Sequence, residues 1–232
     1  QHAGVAEAHA RRELGRTGEK VSVLALGTMT YGEQNSEAEG HAQMDYVVER
    51  GINLFDASEI YPIPPKPDTQ GRTEAIIGSW LASRKTRDKV LIATKVAGRG
   101  KMTWLRKDGS LTRQNEAQIV EAVDASLARL KSDHIDLYQL HWPDRPMRIF
   151  EGHDYVHLGE EERPVQMILG TLGKLVDAGK VRFIGLSNET SWGVMTFLKC
   201  AELHGLPRIV SVQNAYNLVN RSFETGLSEI FY

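Results

Sequence analysis

The feature that most constrains this chain is an alternation. Along its 232 residues, short apolar runs and longer amphipathic runs take turns six times without a break in the order. Runs such as VLIATKV (residues 90–96) and VRFIGLS (residues 181–187) are mostly apolar and read as buried strands. Between them the apolar positions recur at helical spacing: Ile76, Ile77 and Trp80 form one stripe, and Ile119, Val123, Leu127 and Leu130 another. Strand and helix in strict succession predict parallel strands joined by right-handed crossovers.

The predicted helices cover residues 36–50, 72–83, 112–130, 165–178 and 191–204, and a further one begins at 223. Predicted strands occupy 23–27, 52–55, 90–96, 135–141, 181–187 and 209–213. Ahead of them RRELGRTGEKVSV, with its turn at Gly15, Thr17 and Gly18, reads as a hairpin placed to close the bottom of a barrel. An open nucleotide-binding sheet would carry G-x-G-x-x-G after its first strand, and Gly27-Thr28-Met29-Thr30-Tyr31-Gly32 does not fit that spacing. A TIM (β/α)₈ barrel is the predicted fold.

Such a barrel has eight units in about 250 residues, whereas about six are present here, so roughly 100 residues of it are expected to be missing. Were the chain to end at Tyr232, the strands at 23–27 and 209–213 would each leave an apolar edge bare, which invites aggregation. The organisation expected is a flexible arm over residues 1–10 and one C-terminally incomplete barrel domain over 11–232.

Composition narrows the function classes. The 28 basic and 30 acidic residues leave a net charge of -2, which gives no electrostatic reason for a nucleic-acid or anionic-membrane partner. No apolar run approaches the roughly 18 residues of a membrane span, so a soluble cytoplasmic protein is expected. The single Cys200 fits a reducing compartment and sits beside Phe197 and Leu198, which reads as a small buried hydrophobe rather than a nucleophile. His153 and His157 are too few for a metal site, and no metal is predicted.

In parallel barrels the chemistry sits at the C-terminal ends of the strands. INLFDASEIY runs from an apolar stretch into Asp56 and on to Tyr61, and three other apolar runs end at Lys95, His141 and Ser187-Asn188. One such residue would be an ordinary cap, but four strand ends with complementary chemistry make a site. Tyrosine has a reference pKa near 10, so it serves as an acid at neutral pH when a cation stabilises its phenolate. Lys95 would supply that charge, Asp56 would hold Lys95, and His141 would donate a hydrogen bond to a substrate oxygen. Tyr61 is therefore expected to be more acidic than a free phenol. These groups suit protonation of a carbonyl oxygen after hydride reaches its carbon, and hydride requires a nicotinamide cofactor because no side chain donates it.

The segments LALGTMTYGEQNSEAEGHAQMDY, INLFDASEIYPIPPKPDTQGRTE, DLYQLHWPDRP, GKVRFIGLSNETSWGVM and PRIVSVQNAYNLVNRSFE closely resemble those of the aldo-keto reductases, in particular the Tas-type bacterial branch. The resemblance implies a (β/α)₈ barrel and NADP(H)-linked reduction of an aldehyde or ketone. It places the family's catalytic tetrad on Asp56, Tyr61, Lys95 and His141. Its carboxamide-binding residues fall on Ser187, Asn188 and Gln213, and Thr28 and Met29 match positions near the cofactor ribose, with Asp56 bordering the same site. The last two family units carry the aromatic that packs on nicotinamide and the basic residues that grip the phosphates, and nothing before Tyr232 matches them. The resemblance also admits a binding or regulatory subunit, as in channel-associated relatives, or a truncated remnant. Substrate would be read by the loops at 62–70 and 142–164.

Overall fold

The computed structural model describes residues 10–147 and 164–231. β1 (Arg11–Glu13) and β2 (Lys20–Ser22) form the predicted antiparallel hairpin. The strands β3 (Leu26–Gly27), β4 (Leu54–Asp56), β5 (Leu91–Val96), β6 (Ile135–Leu140), β7 (Val181–Ser187) and β8 (Ile209–Gln213) then pair in chain order as one six-stranded sheet. Every pairing in it is parallel. The crossovers contain α1 (Glu37–Glu49), α2 (Arg72–Arg84), α3 (Glu116–Leu130), α4 (Val165–Asp177) and α5 (Ser191–His204). Sheet and helices together form a partial (β/α) barrel, and no described helix is long and apolar enough to cross a membrane.

Local chemistry sets the helix starts. Ser36 caps α1 in a reciprocal capping box with Glu39, Asn115 caps α3 by accepting from Gln118 N–H, and Thr190 caps α5 by accepting from Gly193 N–H. Every residue of β5 and β6 is buried, Thr94, Lys95, Asp136 and Gln139 included, as in strands covered on both faces of a parallel sheet. Behind them Trp80 of α2 packs on Phe55 of β4 with ring centroids 5.4 Å apart, while Ile119, Val123 and Leu130 bring α3 onto the same core. Each such side chain contributes roughly 1.5–3 kcal/mol on burial.

The hairpin does lie across the bottom of the sheet. Asn53, just before β4, accepts from Ser22 N–H at 2.8 Å and donates to Lys20 O at 2.9 Å. Farther along, Arg182 of β7 reaches Glu19, and Gly15 (φ +57°) passes so close to β8 that a Cβ there would lie 2.7 Å from Val210 O. With this floor in place, the opposite rim is the open end.

Several boundaries differ from the expectations. The first strand is only Leu26–Gly27, and Val23 and Leu24 are 43% and 55% exposed, because among the described residues β3 pairs on one side only, with β4. Helix α3 begins at Glu116 rather than 112, since the segment before it is bound elsewhere: Gln114 N–H donates to Asp144 Oδ2. The helix expected from 223 is a short α6 (Ser222–Gly226) followed by a 3₁₀ turn. The N-terminal arm up to residue 9, His153, His157 and most of the loop at 142–164 lie outside the described residues.

Candidate active site

β4 carries Asp56 to the open rim, and the chain then continues beside β5: Ala57 N–H donates to Ala93 O at 2.8 Å and Glu59 N–H to Lys95 O at 3.1 Å. This pairing sets the segment that ends at Tyr61 alongside Lys95. Lys95, at 1% exposure, satisfies the rule that a buried ammonium is paired. Its Nζ lies 2.7 Å from Asp56 Oδ1, and it donates at 2.8 Å both to Asp56 Oδ2 and to Ala57 O. Burial lowers the Lys95 pKa from its ordinary value, and Asp56 opposes that shift.

His141 follows β6 directly, with its N–H on Val96 O at 2.9 Å. Its ring meets that of Tyr61 edge-on, centroids 5.6 Å apart, and Trp142 covers another side at 4.9 Å. Burial, and then the nearby Lys95 charge, push its pKa well below the usual histidine value, so the ring is neutral near pH 7.

The expectation for Tyr61 is overturned. Its pKa lies well above that of a free phenol, first because the ring is buried and second because Asp56 repels a phenolate. Lys95 does not reverse this: its hydrogen bonds go to Asp56 and Ala57, and Nζ stands 5.0 Å from the Tyr61 ring centroid. The Lys95–Asp56 pair presents both signs of charge to the phenol, and Tyr61 keeps its proton.

A second group adjoins this one. Asn188 adopts a left-handed conformation (φ +50°) at the end of β7, with its N–H on Gln213 O at 3.0 Å. Its Nδ2 donates to His141 O at 2.9 Å and to Ser187 Oγ at 3.3 Å, tying Ser187 and the histidine backbone together. Thr28 Oγ donates to Asp56 O at 2.7 Å. Met29, 48% exposed, joins through its carbonyl, which accepts from Ile63 N–H at 2.9 Å. Asp56, Tyr61, Lys95, His141, Ser187, Asn188, Gln213, Thr28 and Met29 thus share one rim.

Three participants were not foreseen. Gln139 of β6 donates at 3.4 Å to both Asp56 Oδ1 and Gln213 Oε1, bridging the two groups. The alternation of IDLYQLH, which puts Gln139 on the same face as His141, carried that signal. Ser58 Oγ lies 2.9 Å from His141 Nδ1. Glu59 is gripped by Arg106, and nothing in the sequence indicates a partner 47 residues away.

Residues 23–231 match the model of the Aldo/keto reductase family. The chain belongs to this family. Among aldo/keto reductase relatives it is 51% identical to Protein tas of Escherichia coli over 216 residues, covering 91% of this chain and 61% of that protein. It is 33% identical to Aldo-keto reductase YhdN of Bacillus subtilis, covering 91% of this chain and 55% of the relative. Norsolorinic acid reductase B of Aspergillus parasiticus is 31% identical, with 90% and 50% covered. The chain therefore spans about three fifths or less of the length of these relatives.

Proposed function

We propose that this barrel belongs to an oxidoreductase that reduces aldehyde or ketone carbonyls to alcohols with NADPH, Tyr61 giving the proton. The observation that carries the reading is the convergence of a buried, protonated phenol, a neutral imidazole and a Lys–Asp pair at one open strand-end rim. Membership of the aldo/keto reductase family and similarity to a norsolorinic acid reductase support the same class.

The second group fits a nicotinamide carboxamide on its donor chemistry. Asn188 uses its Nδ2 on His141 and Ser187, which leaves Oδ1 as an acceptor, while Gln213 Oε1 receives Gln139 and leaves Nε2 as a donor. An amide needs one of each. Ser187, Asn188 and Gln213 would hold the carboxamide, with Thr28 and Met29 near the ribose, and the cofactor when bound would supply hydride.

In this reading His141 donates a hydrogen bond to the carbonyl oxygen and Tyr61 O–H passes its proton to the same oxygen as charge builds there. The resulting phenolate is stabilised at that moment by the Lys95 ammonium, which Asp56 keeps charged and oriented. Tyr61, like any phenol at neutral pH, holds its proton before reaction. The test is NADPH oxidation with an aromatic aldehyde, comparing the full-length protein with Tyr61→Phe. Loss of turnover is expected in the variant, and equal, readily measured rates would sink the assignment.

A further inference from the structure

His141 is useful as a donor only if the proton of its neutral ring is on the nitrogen facing the substrate. A neutral imidazole carries one N–H, and which nitrogen holds it is set by the partner of the other. Here Nδ1 has one partner, the hydroxyl of fully buried Ser58 at 2.9 Å, and Nε2 has none among the described residues.

The direction of this hydrogen bond follows from the surroundings of Ser58. Among the described residues its Oγ has two neighbours within hydrogen-bond reach: His141 Nδ1 and the Ile60 backbone N–H at 3.4 Å, which can only donate. If Nδ1 carried the proton, Oγ would receive two donors and its own O–H would be buried with no acceptor. That costs about 1–3 kcal/mol. If instead Oγ–H donates to Nδ1, both groups of this buried pair are satisfied and the ring proton lies on Nε2, the nitrogen left for a ligand.

We infer that Ser58 is a positioning residue that fixes His141 in the Nε2–H tautomer, so that the ring meets a ligand oxygen as a hydrogen-bond donor. The backbone holds this pair in register. Ser58 sits in the segment that hydrogen-bonds alongside β5, and His141 is anchored on both sides, by its N–H to Val96 O and by its C=O from Asn188 Nδ2. Neither partner can retreat without breaking a buried bond. The tautomer is a property of the ligand-free chain. Only its use as a donor to a carbonyl rests on the proposed reductase activity.

The test is a long-range ¹⁵N–¹H correlation spectrum of ¹⁵N-histidine-labelled full-length protein near pH 7.5, with the His141 signals assigned by their loss in His141→Gln. In wild type, Nε2 is expected to show the shift of a protonated ring nitrogen and Nδ1 that of a hydrogen-bonded acceptor. In Ser58→Ala the two shifts should move toward each other as the tautomers mix, and Ser58→Cys, which keeps a weak donor, should fall between. A protonated Nδ1 in wild type, or unchanged shifts in Ser58→Ala, would overturn the inference whatever the enzyme's activity. If carbonyl reduction is measurable, Ser58→Ala should lower kcat by about 3- to 10-fold, the equivalent of one neutral hydrogen bond. The Kd for NADPH should stay unchanged. A fall in cofactor affinity with kcat preserved would count against the assignment. Correct wild-type shifts in a protein without turnover would uphold the tautomer and defeat the proposed reaction instead.

Discussion

Arg106 grips Glu59 through two parallel hydrogen bonds, Nη1 to Oε2 at 2.8 Å and Nη2 to Oε1 at 2.9 Å, with the side chains only 1% and 2% exposed. Glu59 Oε1 also accepts from Ala97 N–H at 2.7 Å, and Arg106 Nε donates to Gln118 of α3 at 3.2 Å. One carboxylate thus joins the segment after β4 to the segment after β5 and, through Arg106, to a helix. Because Glu59 stands two residues before Tyr61, this junction holds the segment that carries Tyr61.

Removing one partner of a buried pair leaves the other charged and uncompensated. Arg106→Met is therefore expected to lower the unfolding free energy by about 3–5 kcal/mol. Glu59→Gln with Arg106→Met should cost clearly less than the sum of the single changes, since the second removes a charge that the first strands. Urea unfolding of the four proteins of this cycle measures both quantities, and an unchanged midpoint in Arg106→Met would refute the role.

Lys95→Met separates chemistry from folding. Burial already disfavours the ammonium, and methionine keeps the stem volume while Asp56, 15% exposed, retains access to solvent. Stability should fall by less than in Arg106→Met, whose stranded Glu59 is more deeply buried than Asp56. Under the proposed reaction turnover should fall by about 100-fold or more, because the phenolate it would form at Tyr61 then faces Asp56 without its counter-charge. Thermal unfolding and kcat measured on one preparation decide the matter, and a near-wild-type rate removes Lys95 from the mechanism.

Much of this was legible in the residues, for physical reasons. Buried parallel strands are apolar over most of their length, so VLIATKV and VRFIGLS declared themselves, and a lysine inside such a run had to find an acid. The length of β3 was not legible, because Val23 and Leu24 are apolar yet exposed, and only the pairing partner decides whether such a run is a strand. The Tyr61 acidity failed for a related reason. The residue types predicted a cation beside a phenol, but the shift depends on burial depth and on how Lys95 divides its hydrogen bonds, which only the fold determines. Ser58 was passed over because a serine in DASEIY looks like a turn residue, and its partner His141 belongs to a strand end 83 positions away.

His141 should leave a mark on the pH dependence of stability. In the unfolded chain the imidazole titrates near its ordinary 6.5, while in the fold its pKa is well below that. Below pH 6.5 the unfolded state takes up a proton that the native state refuses, so stability falls as pH falls, until the native ring is protonated too. Above that pH the term vanishes. Lys95 and Tyr61 lie near the ring in wild type and in His141→Gln alike, so the difference between the two isolates the histidine. Between pH 7.5 and 5.5 wild type should lose about 1 kcal/mol more than the variant. Parallel stability curves from urea titrations across that range would contradict a buried neutral His141.

Asn188 combines two burdens that substitution can pull apart. Its φ of +50° lies where residues with a Cβ are disfavoured, and its Nδ2 ties Ser187 Oγ to the His141 carbonyl. Asn188→Ala adds the backbone cost to the loss of the buried donor, so a destabilisation of about 2–3 kcal/mol is expected. Asn188→Gly relieves the backbone and should recover about 1 kcal/mol of that. It cannot restore the amide. NADPH binding, followed by fluorescence quenching, should therefore weaken by about tenfold in both variants, since the proposed carboxamide acceptor is gone from each. If the glycine variant bound NADPH as tightly as wild type, Asn188 would be a structural corner of β7 and not a cofactor ligand, and the carboxamide would have to be held by Ser187 and Gln213 alone.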